Sequence, residues 1–235
     1  MTQAASVPAA VTVPVTWNCP ARGVAPSPEL ALVCDRGRAL RLLIVPALFD
    51  EGNRMRRFAA DLMRALDRRG IDSFLPDLPG SNESLRESAS VTLPDWHAAM
   101  AEAARHFSAS ATLGIRGGCL LTPPGLPAWH YAPAKGSAIL RQMLRARLLA
   151  AREAGREENR EDLEATAHDS GIILGGHALG PSFYSEFEEA RPTVPAQPIA
   201  QAQLGGAGLW LRAEPGDDCE QAETLADLLA QGLAQ

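Results

Sequence analysis

The feature that most limits what this chain can fold into is its alternation: short runs rich in Val, Ile and Leu are separated by longer segments with helical apolar spacing. That order predicts an α/β fold around a largely parallel sheet, because parallel neighbours need a long crossover and a helix is the usual one. Strands are expected near 11–17, 29–34, 40–46, 71–76, 110–115, 128–132, 171–175 and 207–212. The first two have no helix between them, so the sheet should carry an antiparallel N-terminal edge, with about eight strands in all.

Met55, Phe58, Ala59, Leu62, Met63 and Leu66 recur at i, i+3, i+4 spacing and predict a helix over 53–69, ended by Gly70. A second fits 94–107, with Pro94 in the first turn and Asp95 at the positive end of the dipole. A third starts after Ser137, with Ile139, Leu140, Met143, Leu144, Leu148 and Leu149 as its apolar side, and Gly155 interrupts it. The connection between the strands at 128–132 and 171–175 is about forty residues long, more than a plain crossover needs. Residues 133–170 are therefore expected to form a lid-like helical insertion within a single domain spanning 1–235. Arg141, Arg145, Arg147 and Arg152 leave open a use of that helix as an interaction surface. The stretch "RPTVPAQP" at 191–198 reads as a connector, and a helix at roughly 218–233 is expected to close the chain.

Composition removes several functions. A formal charge of −6, with no basic run interleaved with aromatics, argues against nucleic-acid binding. Cys19, Cys34, Cys119 and Cys219 form no CxxC pair, so zinc and a disulfide framework have little support and reduced thiols are expected. The N-terminal stretch has no basic region before its apolar residues, and "ALRLLIVPALF" contains Arg41 and is too short to cross a bilayer. The expectation is a cytoplasmic protein with no membrane span, no nucleic-acid partner, no metal site and no cofactor.

The chemistry concentrates in "ATLGIRGGCLL", residues 111–121, an apolar strand running into a glycine-flanked turn. This is the outline of a GxSxG elbow, which holds a serine hydroxyl on a sharp strand-to-helix turn beside backbone N–H donors. Arg116 stands at the serine post, and a guanidinium that stays protonated cannot attack. The turns "APAKGS" and "GGHALGP" hold no carboxylate for the acid post, and "RAEPGDDCEQ" holds no histidine for the base post. Cys119 is the nearest substitute nucleophile; a small buried helix cysteine is the competing reading. His177 follows two glycines at a strand's end, where α/β sites gather, or is a loop histidine with a backbone partner. Asp50 and Glu51 suggest a metal only weakly and are explained as carboxylates at a helix N-terminus.

Two readings of Arg116 stay open. In one, its guanidinium with the N–H groups of Gly117 and of the Ala47-Leu48 turn forms an anion pocket, edged by Asp50, Glu51 and His177, for a carboxylate, sugar phosphate or acidic saccharide. In the other it reaches Asp50, Glu51 or Asp77 and fills a dead site with an internal ion pair.

Strand, "PALFDEGNRMRR", helix, strand, "DLPGSNES", helix, strand, "GIRGG" is the order of an α/β-hydrolase N-terminal half. Pro46, Asp50-Glu51, Asn53, Arg56-Arg57, Asp77-Leu78-Pro79-Gly80 and Gly114-Ile115-Arg116 carry the likeness further. In these motifs the chain resembles the second of two hydrolase-like proteins associated with exosortase A systems, bacterial loci for exopolysaccharide synthesis and PEP-CTERM protein sorting. It departs from that pattern at Ser81-Asn82-Glu83-Ser84, where a glycine-rich turn is expected, and at Thr122-Pro123-Pro124-Gly125, which cuts short the helix after the elbow. The resemblance implies an α/β-hydrolase-like three-layer fold. The three vacant posts favour a protein without the serine nucleophile and triad, and with the resemblance they suggest one that binds a small anionic molecule or acts as a scaffold for an exosortase-system protein. The alternative is a divergent ester or thioester hydrolase, or an acyltransferase, with an unusual nucleophile.

Overall fold

The computed structural model describes residues 12–20, 26–212 and 218–234. Strands β1 (Val13–Cys19) and β2 (Ser27–Cys34) form an antiparallel pair. β3 (Arg41–Val45), α1 (Asp50–Arg68), β4 (Asp72–Pro76), α2 (Leu93–His106), β5 (Ala111–Ile115) and β6 (Ala128–Tyr131) follow. The chain then forms α3 (Gly136–Glu153), α4 (Arg160–Asp169), β7 (Ile172–Leu174), β8 (His177–Leu179) and α5 (Pro181–Glu189), and ends with β9 (Gln197–Ile199) and α6 (Cys219–Leu233). The main sheet has seven strands in the order β1-β2-β4-β3-β5-β6-β9. β2 pairs antiparallel with β4, and the pairs from β4 through β9 are parallel.

Helices lie on both faces, as the alternation predicts. Successive strand residues point to opposite sides: Leu42 and Ile44 pack with Phe58, Leu62, Met63, Leu225 and Leu229 under α1 and α6. Leu43, Val45 and Phe74 pack with Trp96, Met100, Ile139, Leu140 and Phe187 under α2, α3 and α5. α2 starts on a capping box, in which Thr92 Oγ1 accepts from the Asp95 N–H and Asp95 Oδ2 accepts from the Thr92 N–H at 2.9 Å. α3 is seated deeply: a Cβ at Gly136 would lie 1.7 Å from the carbonyl oxygen of Phe187, so only glycine fits there.

Three strand expectations change. The run at 171–175 does not join the main sheet. β7 pairs only with β8, because Gly175 and Gly176 both take positive φ (56° and 82°) and make the tight turn of a two-residue hairpin. The run at 207–212 is no strand but a single 3-10 turn, Leu209–Leu211, in which Trp210 packs against Tyr131. The outermost parallel strand, β9, comes instead from the stretch read as a connector; Pro198 is tolerated because an edge strand leaves one side unpaired. Among the described residues the main sheet has seven strands, in keeping with the about eight expected. The loop expected to lack a catalytic histidine lies partly outside the described residues, at 213–217, as does the start of the strand near 11.

Candidate functional site

Phe49, Asn82, Arg116 and Ala132 follow β3, β4, β5 and β6 respectively, and their φ angles are 55°, 50°, 53° and 46°. A side chain in that region costs about 1–3 kcal/mol, so such residues persist where surrounding structure forces them. Among the described residues only one other non-glycine position, Ser108, has positive φ. Strain therefore gathers at the carboxyl ends of the parallel strands, where α/β folds place their sites.

Arg116 occupies the elbow, at the start of a 3-10 turn, Arg116–Leu120. The turn presses closely on β3: a Cβ at Gly118 would lie 2.3 Å from the Val45 carbonyl oxygen. From this post Arg116 Nε donates to Glu51 Oε2 at 3.1 Å and Nη2 donates to Glu51 Oε1 at 3.0 Å. Nη1 donates to the carbonyl of Ala132 at 2.8 Å. The guanidinium also lies over the Trp210 ring, 4.2 Å from its centroid. Arg54 Nη1 donates to the backbone carbonyl of Trp210 at 3.1 Å and so ties this turn to α1.

All three guanidinium nitrogens are thus engaged with the chain itself, and the carboxylate that meets them is Glu51, 4% exposed, rather than Asp50 or Asp77. The guanidinium's contacts are with Glu51, Ala132 and Trp210, not with the Ala47-Leu48 turn. Gly117 is wedged between Leu48 and Ile139, each of which would lie 2.8 Å from an added Cβ.

Cys119 is fully buried, and its thiol donates to the Gly114 carbonyl at 3.2 Å. Burial pushes its pKa well above the usual thiol range, with the Arg116 charge pulling weakly the other way. A thiol kept protonated and shielded is a poor nucleophile. A contact the sequence did not flag lies nearby: Thr122 Oγ1 is 2.9 Å from His130 Nε2, and Thr193 completes the group. The hydroxyl–imidazole pair is buried, Thr122 being 1% and His130 4% exposed, and burial lowers the His130 pKa. No spacing signal marks it, because "AWHY" reads only as an apolar strand.

Beside the elbow lies a cavity of about 150 Å³ between β2, β4 and α1. Leu30, Leu32, Met55, Ala59, Leu75 and Leu78 wall it, and Asn53, Arg56, Asp77, Asn82 and His177 are its polar lining. Of the residues predicted for a site, Ala47, Leu48 and His177 line it; Arg116, Gly117, Asp50 and Glu51 do not. His177 Nε2 sits 3.9 Å from Asp50 Oδ1, and its ring packs edge-on against Phe49. Burial lowers the His177 pKa, opposed by the Asp50 charge, so the ring favours its neutral form. Burial raises the Asp77 pKa, against a hydrogen bond from Asn82 and the charge of Arg56. Among the described residues no group of three or more His, Cys, Asp or Glu side chains could hold a metal ion, and no helix is long and apolar enough to cross a membrane.

No protein-family model and no curated protein matches this sequence. Solved structures do resemble the fold. Est1E from Butyrivibrio proteoclasticus, solved with ferulic acid bound, aligns with a TM-score of 0.54 at 13% identity, over 88% of this chain and 96% of its own. Alpha/beta hydrolase domain-containing protein 10 from mouse aligns with a TM-score of 0.50 at 12% identity, over 79% of this chain and 77% of its own. At such identities the likeness concerns architecture and not reaction. Together with the mostly parallel sheet, its antiparallel edge and the helices on both faces, these alignments show that this chain has the α/β-hydrolase fold.

Proposed function

We propose that this chain is a hydrolase-fold protein that binds rather than cleaves, its nucleophile post converted into a structural tie. The observation that carries the reading is the two-pronged Arg116–Glu51 pair, at 3.0 and 3.1 Å, under the Trp210 ring. A small anion at Arg116 would have to displace a buried carboxylate that already satisfies the fork, and such pairs are strong and directional. Ligand binding therefore falls to the neighbouring cavity, or the protein serves as a scaffold.

The motifs at Pro46–Arg57, Asp77–Gly80 and Gly114–Arg116 support a place for it in an exosortase- or exopolysaccharide-linked pathway. The free, buried thiols of Cys19, Cys34 and Cys119 support a cytoplasmic location. In this reading the chain acts as one domain, and residues 133–170 are a fixed cover, because Ile139, Leu140, Met143 and Leu144 are buried.

The test is turnover of p-nitrophenyl esters. Wild type should show none above buffer, and Arg116→Ser should create none, since among the described residues Arg116 touches Glu51, Ala132 and Trp210 and no histidine. Wild-type turnover lost on Arg116→Ala, or a serine- or thiol-reactive probe labelling the elbow, would overturn the reading. One observation favours the divergent-hydrolase alternative, the neutral His177 beside Asp50 at the cavity. That alternative predicts ester turnover that disappears in His177→Ala and survives in Arg116→Ala.

A further inference from the structure

The cavity between β2, β4 and α1 has apolar walls, formed by Leu30, Leu32, Met55, Leu75 and Leu78, and polar groups beside them. The leucine side offers water few partners, and a volume of about 150 Å³ is enough for a benzene-sized guest. The polar lining carries both signs of charge, in Arg56 and Asp77. Asp77 Oδ1 accepts a hydrogen bond from Asn82, and a carboxylate has capacity for more. An anionic guest would face Asp77, and also Asp50 behind His177; a cationic guest would face Arg56. A neutral guest with a hydroxyl can donate to Asp77 and accept from Arg56 while adding no charge.

We propose that this cavity binds a small neutral molecule with an apolar body and one hydroxyl, of the size of a monocyclic phenol, its ring among the leucines and its hydroxyl between Asp77 and Arg56. The proposal deepens the reading of this chain as a binding protein and rests on it.

The probe is p-cresol, titrated into the full isotope-labelled chain and followed by amide chemical shifts, with toluene and benzoate as comparators. Saturable shifts should centre on Leu30–Leu32, Met55–Ala59 and Leu75–Leu78. Binding of p-cresol should be about fivefold tighter than that of toluene, the worth of one net hydrogen bond, with benzoate weakest. Ala59→Phe fills the cavity from α1 and Leu32→Phe from β2. Each, once its amide spectrum shows a folded chain, should weaken p-cresol by at least about tenfold, because the guest's volume is taken. No saturable binding of p-cresol, unchanged binding in a folded filled variant, or tighter binding of benzoate overturns the proposal. Should neither variant fold, magnetisation transfer from the p-cresol methyl to Leu30, Leu32 and Met55 decides in wild type, and its absence overturns it. Ester turnover by wild type would defeat the non-catalytic reading while leaving the binding result standing, so the two failures are distinguishable.

Discussion

Both ends of the parallel sheet are tied by arginine and carboxylate, but they are built differently. At the amino end the charges are shared. Arg36 Nε donates to Asp67 Oδ1 at 2.7 Å, and Arg38 Nη1 lies 2.8 Å from the same oxygen and 3.3 Å from Asp72 Oδ1. Arg41 reaches both Asp35 and Asp72, at 2.8 and 3.4 Å. At the carboxyl end one arginine meets one carboxylate, Arg116 with Glu51, among four residues with positive φ and beside the cavity. A shared network tolerates the loss of a member, because each charge keeps another partner. The single pair does not, and the fold accepts strain and empty volume around it. That contrast separates an end that holds the sheet together from an end where backbone strain and empty volume gather.

The sharpest way to break this comparison is to remove Glu51. Glu51→Ala leaves Arg116 with no carboxylate partner and should cost about 3 kcal/mol in urea unfolding. Adding Arg116→Met should recover most of that, because an apolar replacement has no charge to desolvate. A double variant as unstable as the single one would mean the pair is not the tie described.

Asp72→Ala should cost less, about 2 kcal/mol, although Asp72 is fully buried. Arg38 retains Asp67 and Arg41 retains Asp35 after the change. The same unfolding measurement checks it, and a loss larger than that of Glu51→Ala would reverse the argument.

The smallest effect is a difference in pH response. Burial pushes the Asp67 pKa up, but hydrogen bonds from Arg36 and Arg38 outweigh it and hold the carboxyl below its ordinary value. Its stabilising contribution is complete above the unfolded pKa, about 3.9, and is lost as pH falls through the folded value. Asp77 is shifted the other way by burial, so its contribution is complete below the unfolded pKa and is lost as pH rises through the folded value. Asp67→Asn should therefore be destabilising at neutral pH and harmless in strong acid. Asp77→Asn should be stabilising at neutral pH, with the gain vanishing in acid. Unfolding midpoints of both variants against wild type across acid pH would show the opposite slopes, and parallel slopes would contradict them.

Elements with a long, clean period were legible in advance. α1 and α2 lie where Met55–Leu66 and the Pro94-Asp95 start place them, though α1 begins earlier, at Asp50. β3 to β6 fall within a residue or two of their apolar runs. The short strands were not legible. Three residues carry too little periodicity to separate a hairpin arm such as β7 from a sheet strand, and β9 is hidden by its own proline. Of the site, the arginine in the turn after β5 could be read directly, because it needs only a residue type at the end of an apolar strand. Trp210 lies in a run with strand-like composition, and nothing in its neighbours announces a ring laid over a distant guanidinium.

By itself, the sequence determined the alternation of helix and strand, the two-faced packing of the sheet and the presence of a fixed positive charge in the turn after β5. These follow from local periodicity and from the chemistry of single side chains. Which carboxylate neutralises that charge was decided only by the tertiary structure, since Arg116 and Glu51 are 65 positions apart and Asp50 and Asp77 offered the same chemistry. The cavity has the same origin. Its walls come from β2, α1 and β4, and a volume enclosed by separate elements exists only once crossover connections have set their distances.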